Sequence, residues 1–297
     1  MNEHPFREKQ KIKFSYALVT PARDEEENIE RLITSMILQT FLPLKWVIVS
    51  DGSTDRTDDI VKAYLQRYPW MELVRMPEHA DRQFAAKVNC FNAGHARLQG
   101  LDYNIIGNLD ADISFEPDYF EFLIPKFAGN PNLGVAGTPF VEDGKAYDYR
   151  FTNIEHVSGA CQLFRKQCFE EIGGYLPIKG GGIDWVAVTT ARMMGWKTQT
   201  FTEKTCTHHR KMGTGNTSLR KIWFKQGQKD YLFGYHPVWE IFRSIYQMGK
   251  SPKVIGGALL LLGYLWSSIQ RTEVIACKEV TSFIRMEQMQ RLRRIFF

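Results

Sequence analysis

Tyr103-Asn104-Ile105-Ile106-Gly107-Asn108-Leu109-Asp110-Ala111-Asp112 is the stretch on which the reading of the fold turns. A short apolar run reads as a buried strand, and two carboxylates follow it at once. Working outward, the same unit recurs upstream. Tyr16 to Thr20 is a first apolar run, followed by Pro21 and an acidic stretch. In the helical pattern that follows, Ile29, Leu32, Ile33, Met36 and Ile37 share one face, with acids in the first turn where the dipole favours them. Trp46-Val47-Ile48-Val49 is a second strand, ending in Ser50-Asp51-Gly52, and a helix is expected from near Thr54. A strand over 72–75 and a helix over 84–98 complete the series. Alternation of this kind predicts an α/β fold, a mostly parallel, Rossmann-like sheet flanked by helices. Ligands of such sheets sit at the carboxyl ends of the strands, where Thr20, Asp51, Asp110 and Asp112 all fall.

Composition narrows the classes. A chain of 297 residues suits one catalytic domain plus an extension. A formal charge of +5 suits nucleotides or acidic lipids but is too small to signal nucleic-acid binding. Cys90, Cys161, Cys168, Cys206 and Cys277 form no CxxC pair, so neither a disulfide framework nor a thiolate zinc site is expected. Residues 1–12 read as a charged tail without an apolar h-region, which points to a cytoplasmic catalytic part. The expected division is a tail over 1–12, a catalytic domain over 13–205, and a basic lid loop with a helical extension over 206–297.

Asp110 and Asp112 can converge on one hard divalent cation, Mn²⁺ or Mg²⁺, leaving positions open for diphosphate oxygens. A DxD in a solvated turn arises often by chance, and the strand before it is what gives it weight. Asp51, one residue beyond a strand, is placed to accept a hydrogen bond from a nucleobase. Asp55 reads as helix-start electrostatics.

The series VTPARDEEENIERLI, VIVSDGSTD, FAAKVNCFNAG, NIIGNLDADI and GGIDWVAVTTARMMGWK resembles the family-2 inverting glycosyltransferases of the GT-A (nucleotide-diphospho-sugar transferase) fold, in order and spacing across about residues 14–200. The resemblance implies a donor pocket beginning at Thr20 and Pro21 with Glu25 behind them, and a base-reading Asp51. It implies Lys87 and Asn92 near the donor, Asp110 facing ribose or metal, Asp112 as metal ligand and Asp184 as catalytic base. It also implies a UDP- or GDP-type sugar donor and a glycan or glycolipid acceptor. Ile183 departs from the pattern, standing where the family often has glutamate. A helix cap is the competing role for Asp184.

Thr207 to Gly215 invites a lid reading, with Arg210 and Lys211 over the diphosphate and His208 or His209 completing the metal sphere. A solvated basic loop is the alternative. His79, His95, His156 and His236 read as ordinary surface or helix residues. Tyr175 and Trp185 could stack on a sugar or pack in the core. Val254 to Ile269 is apolar nearly all round yet short for a bilayer span, so transmembrane, interfacial and buried readings compete. The basic tail over 285–294 favours peripheral or monotopic association with an anionic cytoplasmic leaflet. The rivals weigh less. A nucleotidyltransferase or dehydrogenase needs a glycine-rich loop after the first strand, and PARDEEEN has no glycine. A non-catalytic sugar-nucleotide or glycan binder is kept open by Ile183.

Overall fold

The computed structural model describes residues 14–78, 84–142, 145–146, 154–178, 181–210 and 219–296. The tail assigned to 1–12 lies outside them.

Four strands form the parallel half of a seven-stranded sheet. They are β1 (Tyr16–Ala22), β2 (Lys45–Ser50), β3 (Met71–Arg75) and β4 (Ile105–Leu109). β1 pairs in parallel with β2 and with β4, and β2 with β3. Helices α1 (Ile29–Ile37), α2 (Thr57–Leu65) and α3 (Phe84–Ala96) are the crossovers. β1, β2 and β4 are almost wholly buried, which is why they read as unbroken apolar runs. α2 starts later than the sequence suggests. Asp55 accepts from the Thr57 amide at 2.9 Å, and Asp24 accepts from the Thr54 amide at 2.9 Å, so this segment is spent on turn and cap.

After β4 the chain forms β5 (Ile113–Ser114), α4 (Tyr119–Ala128), β6 (Leu133–Gly137), β7 (Phe140–Glu142), β8 (Lys145–Ala146), β9 (Cys161–Arg165), α5 (Lys166–Glu171), α6 (Ile183–Met193), β10 (Lys197–Thr200) and β11 (Cys206–His208). The large sheet runs β10-β6-β9-β4-β1-β2-β3, with β9 antiparallel to both neighbours. A second sheet runs β5-β11-β7-β8. β11 pairs with β5 and β7, so the break expected at 205/206 falls inside the sheet system of the catalytic part.

The remaining helices are α7 (Leu219–Leu232), α8 (Pro237–Met248), α9 (Ile255–Ile269) and α10 (Lys278–Phe296). α7 and α8 are separate because Gly234 takes φ +73° and Pro237 opens the next helix, where His236 accepts from the Val238 amide at 3.1 Å. α9 packs on α7 and α8 through small residues. A side chain at Gly227 would meet the Leu260 carbonyl at 1.8 Å, and one at Gly263 the Phe224 carbonyl at 2.0 Å. Cys90, Cys161, Cys168 and Cys206 are buried thiols, while Cys277 is exposed.

Between these helices lies a polar cluster that the sequence does not announce. Arg243 contacts Asp230, and Gln226 donates to Asp230 at 3.0 Å. Glu240 is fully buried, and neither of its carboxylate oxygens has a hydrogen-bond partner. Burial, with nearby Asp230 adding to it, pushes its carboxyl up to about 8.

Two outcomes follow from this packing. Gly227→Val should lower stability by about 1–3 kcal/mol or more, because backbone carbonyls cannot yield as side chains do. Gly129→Ala, where only the Pro125 carbonyl lies within reach at 3.6 Å, should stay within about 0.5 kcal/mol. Urea denaturation of both variants checks this. Glu240 folded holds a proton that the unfolded chain releases above its ordinary value of 4.5, so stability is intact below that pH and lost progressively towards 8. The melting temperature of Glu240→Gln relative to the parent should therefore climb from about pH 5 to pH 8 and then level off.

Candidate functional site

The parallel strands end together, and their ends carry the acids. Asp51 follows β2 and lies 3.8 Å from Arg23. Asp110 follows β4, where its amide donates to the Ala160 carbonyl at 2.9 Å, tying the strand end to β9. Asp112 comes just before β5, and its backbone carbonyl accepts from the His209 amide at 2.8 Å. That hydrogen bond and the β5–β11 pairing set the two halves of the 110–112 and 207–210 segments face to face.

The pairing assigns the two histidines different surroundings. His208 Nε2 lies 3.5 Å from Asp112 Oδ1, and its Nδ1 is buried without a partner. His209 instead shares a 2.8 Å hydrogen bond with the Ser114 hydroxyl. Neighbouring strand residues point to opposite faces, so only one can meet Asp112. Arg210 spans Glu25 at 2.9 Å and Asp112 at 3.8 Å. Lys211, Gly213 and Gly215 of the expected lid lie outside the described residues.

Lys87, near the start of α3, meets Asp110 at 2.5 Å. Burial pulls its ammonium down, but Asp110, Asp184 and Asp112 outweigh that and hold it above the ordinary lysine value. Burial raises the Asp110 carboxyl, with Lys87 opposing and the neighbouring acids adding to it. Glu25 is raised by burial too, against hydrogen bonding from Asn28 and the charge of Arg210.

Two expected donor residues do not join them. Thr20 is fully buried and its hydroxyl accepts from Trp46 Nε1 at 3.0 Å, so it serves the core rather than a ligand. Asn92 is exposed on α3 and lies off the cleft. Five residues along a helix is about 140° of rotation, which carries Asn92 away from the face that presents Lys87. Pro21 remains at the end of β1, half-buried.

A cleft of about 740 Å³ opens beside this edge, with Lys87, Asp110, Asp184 and His208 in its wall. Asp184 lies in the first turn of α6, whose N-cap is Gly182 and has no side-chain cap. The competing cap role is thus not the one Asp184 takes. Gly159 approaches it so closely that a Cβ there would sit 2.9 Å from Asp184 Oδ2. Ile183 is buried in the apolar cluster, leaving Asp184 the sole acid in that turn. The far wall comes from the extension, through Trp223, Lys229, Phe233, Tyr235 and Arg243. Trp185 stacks on Phe233 with ring centroids 4.3 Å apart, and buried Tyr175 donates to Gln162 at 2.6 Å. Both line the cleft while packing as core residues. His156, read from the sequence as an ordinary surface or helix residue, is in no helix and lines the cleft too. Arg165 is structural, donating to the carbonyls of Leu133, Phe127 and Asn130.

Asp112 and His208 suit a divalent cation: a carboxylate oxygen and an imidazole nitrogen at about the spacing of adjacent octahedral ligands (~3 Å). Among the described residues no group of three or more His, Cys, Asp or Glu is disposed to hold a metal. One or two carboxylates with substrate phosphates completing the sphere is an ordinary arrangement for Mg²⁺, and Asp112 is such a carboxylate.

Comparison with known proteins identifies the family. The model of glycosyl transferase family 2 matches residues 17–177, more than half of the chain, and the chain belongs to that family. A Haloferax volcanii glucosyl-dolichyl phosphate glucuronosyltransferase is 22% identical over 272 residues, covering 82% of this chain and 77% of that one. The beta-monoglucosyldiacylglycerol synthase of Synechocystis sp. is 26% identical over 189 residues, 63% of this chain but only 38% of its own length. The chain thus spans well under half of that relative. Among solved structures, the mannosyltransferase PcManGT from Pyrobaculum calidifontis, in complex with GDP-Man and Mn²⁺, aligns with a TM-score of 0.57 at 16% identity. It covers 95% of this chain and 82% of that one. The fold is GT-A, and the chain belongs to glycosyl transferase family 2.

Gly159→Ala tests how closely the cleft is built. The added methyl must displace the Asp184 carboxylate, so transferase turnover should fall about tenfold or more. The melting temperature should stay near that of the parent, as measured by circular dichroism alongside a donor-consumption assay.

Proposed function

We propose that this protein is an inverting, metal-dependent hexosyltransferase that moves a sugar from a UDP- or GDP-sugar to a hydroxyl of a glycan or glycolipid. Polysaccharide or cell-envelope glycan synthesis at the cytoplasmic face of a membrane is the setting that fits it. The observation that carries the reading is Asp184 in the cleft wall with Lys87 and Asp110.

An acceptor hydroxyl is a weak nucleophile at neutral pH, so a carboxylate within hydrogen-bond reach must take its proton as the new bond forms. Asp184 takes that role. Attack from its side, opposite the departing diphosphate, inverts the anomeric centre. Lys87 and Arg210 supply positive charge to the diphosphate, where negative charge grows in the transition state. Asp51 accepts from the base, with Pro21 and Glu25 bordering the nucleotide. Asp112 and His208 would hold Mn²⁺ or Mg²⁺, with Asp110 bound to Lys87 rather than free to ligate alone, and a cation bound there would supply Lewis-acid stabilisation of the leaving diphosphate.

Support for a nucleotide-sugar donor comes from the chain's fold neighbours, such as Staphylococcus aureus TarS 1–349 solved with UDP-GlcNAc. A thermal-shift panel of UDP, GDP and their sugars, with and without Mn²⁺ or Mg²⁺, is the direct test, since a ligand of the folded state raises its stability. One nucleotide should stabilise the protein more with metal, and Asp112→Ala should lose the metal-dependent part. Asp184→Asn should keep the nucleotide shift while turnover falls about 10²–10⁴-fold. Absence of any nucleotide shift would sink the reading; full turnover in Asp184→Asn would remove the base assignment. A wild-type protein that binds donor but turns over nothing would instead be a binding protein.

A further inference from the structure

In the helical extension, α9 turns mostly small residues inward and most of its large apolar ones outward. On α9 the buried positions are Gly256, Gly257, Leu260, Gly263, Tyr264 and Ser267. Its exposed positions include Ile255, Leu262, Leu265, Trp266 and Ile269, the last 78% exposed. The helix has no charged residue. A helix folded for water places its bulk in the core. The inverse arrangement is the packing of helices in lipid, where small residues let backbones approach and large apolar ones face the acyl chains. α8 repeats the outward pattern with Val238, Ile241 and Ile245 at helical spacing, Ile245 being 62% exposed. Fourteen of the twenty exposed large hydrophobic side chains among the described residues lie in 219–296. Patches of this kind mark an interaction surface rather than scattered exposure.

Charge names the partner. Residues 219–297 hold thirteen Lys and Arg against five Asp and Glu, whereas the whole chain is only +5, so the remainder is net negative. Lys250 and Lys253 precede α9, Arg271 follows it, and Arg293 and Arg294 end α10, all exposed. An apolar face bordered by cations complements an anionic lipid surface. A second copy of the chain would bring like charges together across the interface, which disfavours it. At 15 residues α9 is about 22 Å long against the roughly 30 Å of a bilayer core. No helix among the described residues is long and apolar enough to cross a membrane.

We propose that α8 and α9 form a monotopic docking surface for an anionic bilayer, with α9 lying in the plane of the interface and Leu262, Leu265, Trp266 and Ile269 entering the acyl boundary. This deepens the membrane element of the preceding reading and rests on it. The donor chemistry stands apart, since nucleotide binding is measured separately.

Vesicle flotation of the full chain tests it. The parent should float with phosphatidylglycerol–phosphatidylcholine vesicles, more weakly with phosphatidylcholine alone, and less at high salt. Leu262→Glu with Trp266→Glu should reduce partition at least about tenfold while the nucleotide-induced thermal shift is retained. As a conservative check, brominated lipid should quench the parent's fluorescence more than that of Trp266→Phe. No flotation of the parent, equal flotation of the double variant, or equal quenching in Trp266→Phe would overturn the proposal. So would a dimer in sedimentation equilibrium that the double variant abolishes without vesicle binding. Loss of the nucleotide shift in the parent with flotation intact would strike the donor reading and leave this surface standing.

Discussion

Carboxylates gathered at the ends of buried parallel strands repel one another, and this half of the chain is arranged to set cations against them. Asp110 and Asp112 are two residues apart beside the same edge as Glu25 and Asp51. Burial raises the carboxyls of Asp110 and Glu25, and nearby cations oppose that rise. The fold answers with cations delivered from separate elements. Lys87 comes from the start of α3 to Asp110, and Arg210 comes from beyond β11 to Glu25 and Asp112. Neither cation is local in sequence to its partner. The small sheet is therefore more than decoration: pairing β11 with β5 is what brings Arg210 and His208 to the acids. A diphosphate and its divalent cation would enter a site whose charges are already paired, exchanging one set of partners for another.

The sequence shows the sheet more readily than the site. Strands buried on both faces are unbroken apolar runs, so β1, β2 and β4 and the acids at their ends are legible directly. Asp184 is legible only through its family motif, because nothing local distinguishes it from a helix-start acid. What marks it in three dimensions is Gly159, 25 residues upstream, pressed against its carboxylate. Thr20 and Asn92 mislead for a definite reason. Strand alternation turns Thr20 towards Trp46, and helical rotation turns Asn92 to solvent, although both lie in matching motifs. Motif order preserves position along the chain; it does not preserve which way a side chain faces.

His156 and the Asp230–Glu240–Arg243 cluster were not legible at all. Each depends on contact between the catalytic part and helices far along the chain, and no periodicity encodes that contact. The break between α7 and α8 does carry local signals, Gly234 ending one helix and Pro237 opening the next.

The extension also explains why the cleft exists. α7 and α8 supply its far wall, and they are held by α9 through contacts so close that only glycine fits at 227 and 263. Packing of that kind gains van der Waals contact between backbones but leaves the large side chains of α9 without a core to fill. In water those side chains gain nothing from the arrangement, each exposed leucine or isoleucine forgoing roughly 1.5–3 kcal/mol of burial. At a lipid surface the same arrangement recovers that burial while keeping the α7–α9 contact that shapes the cleft. Arg243 ties the two ends together, since it lines the cleft from α8, the helix whose Ile241 and Ile245 face outward.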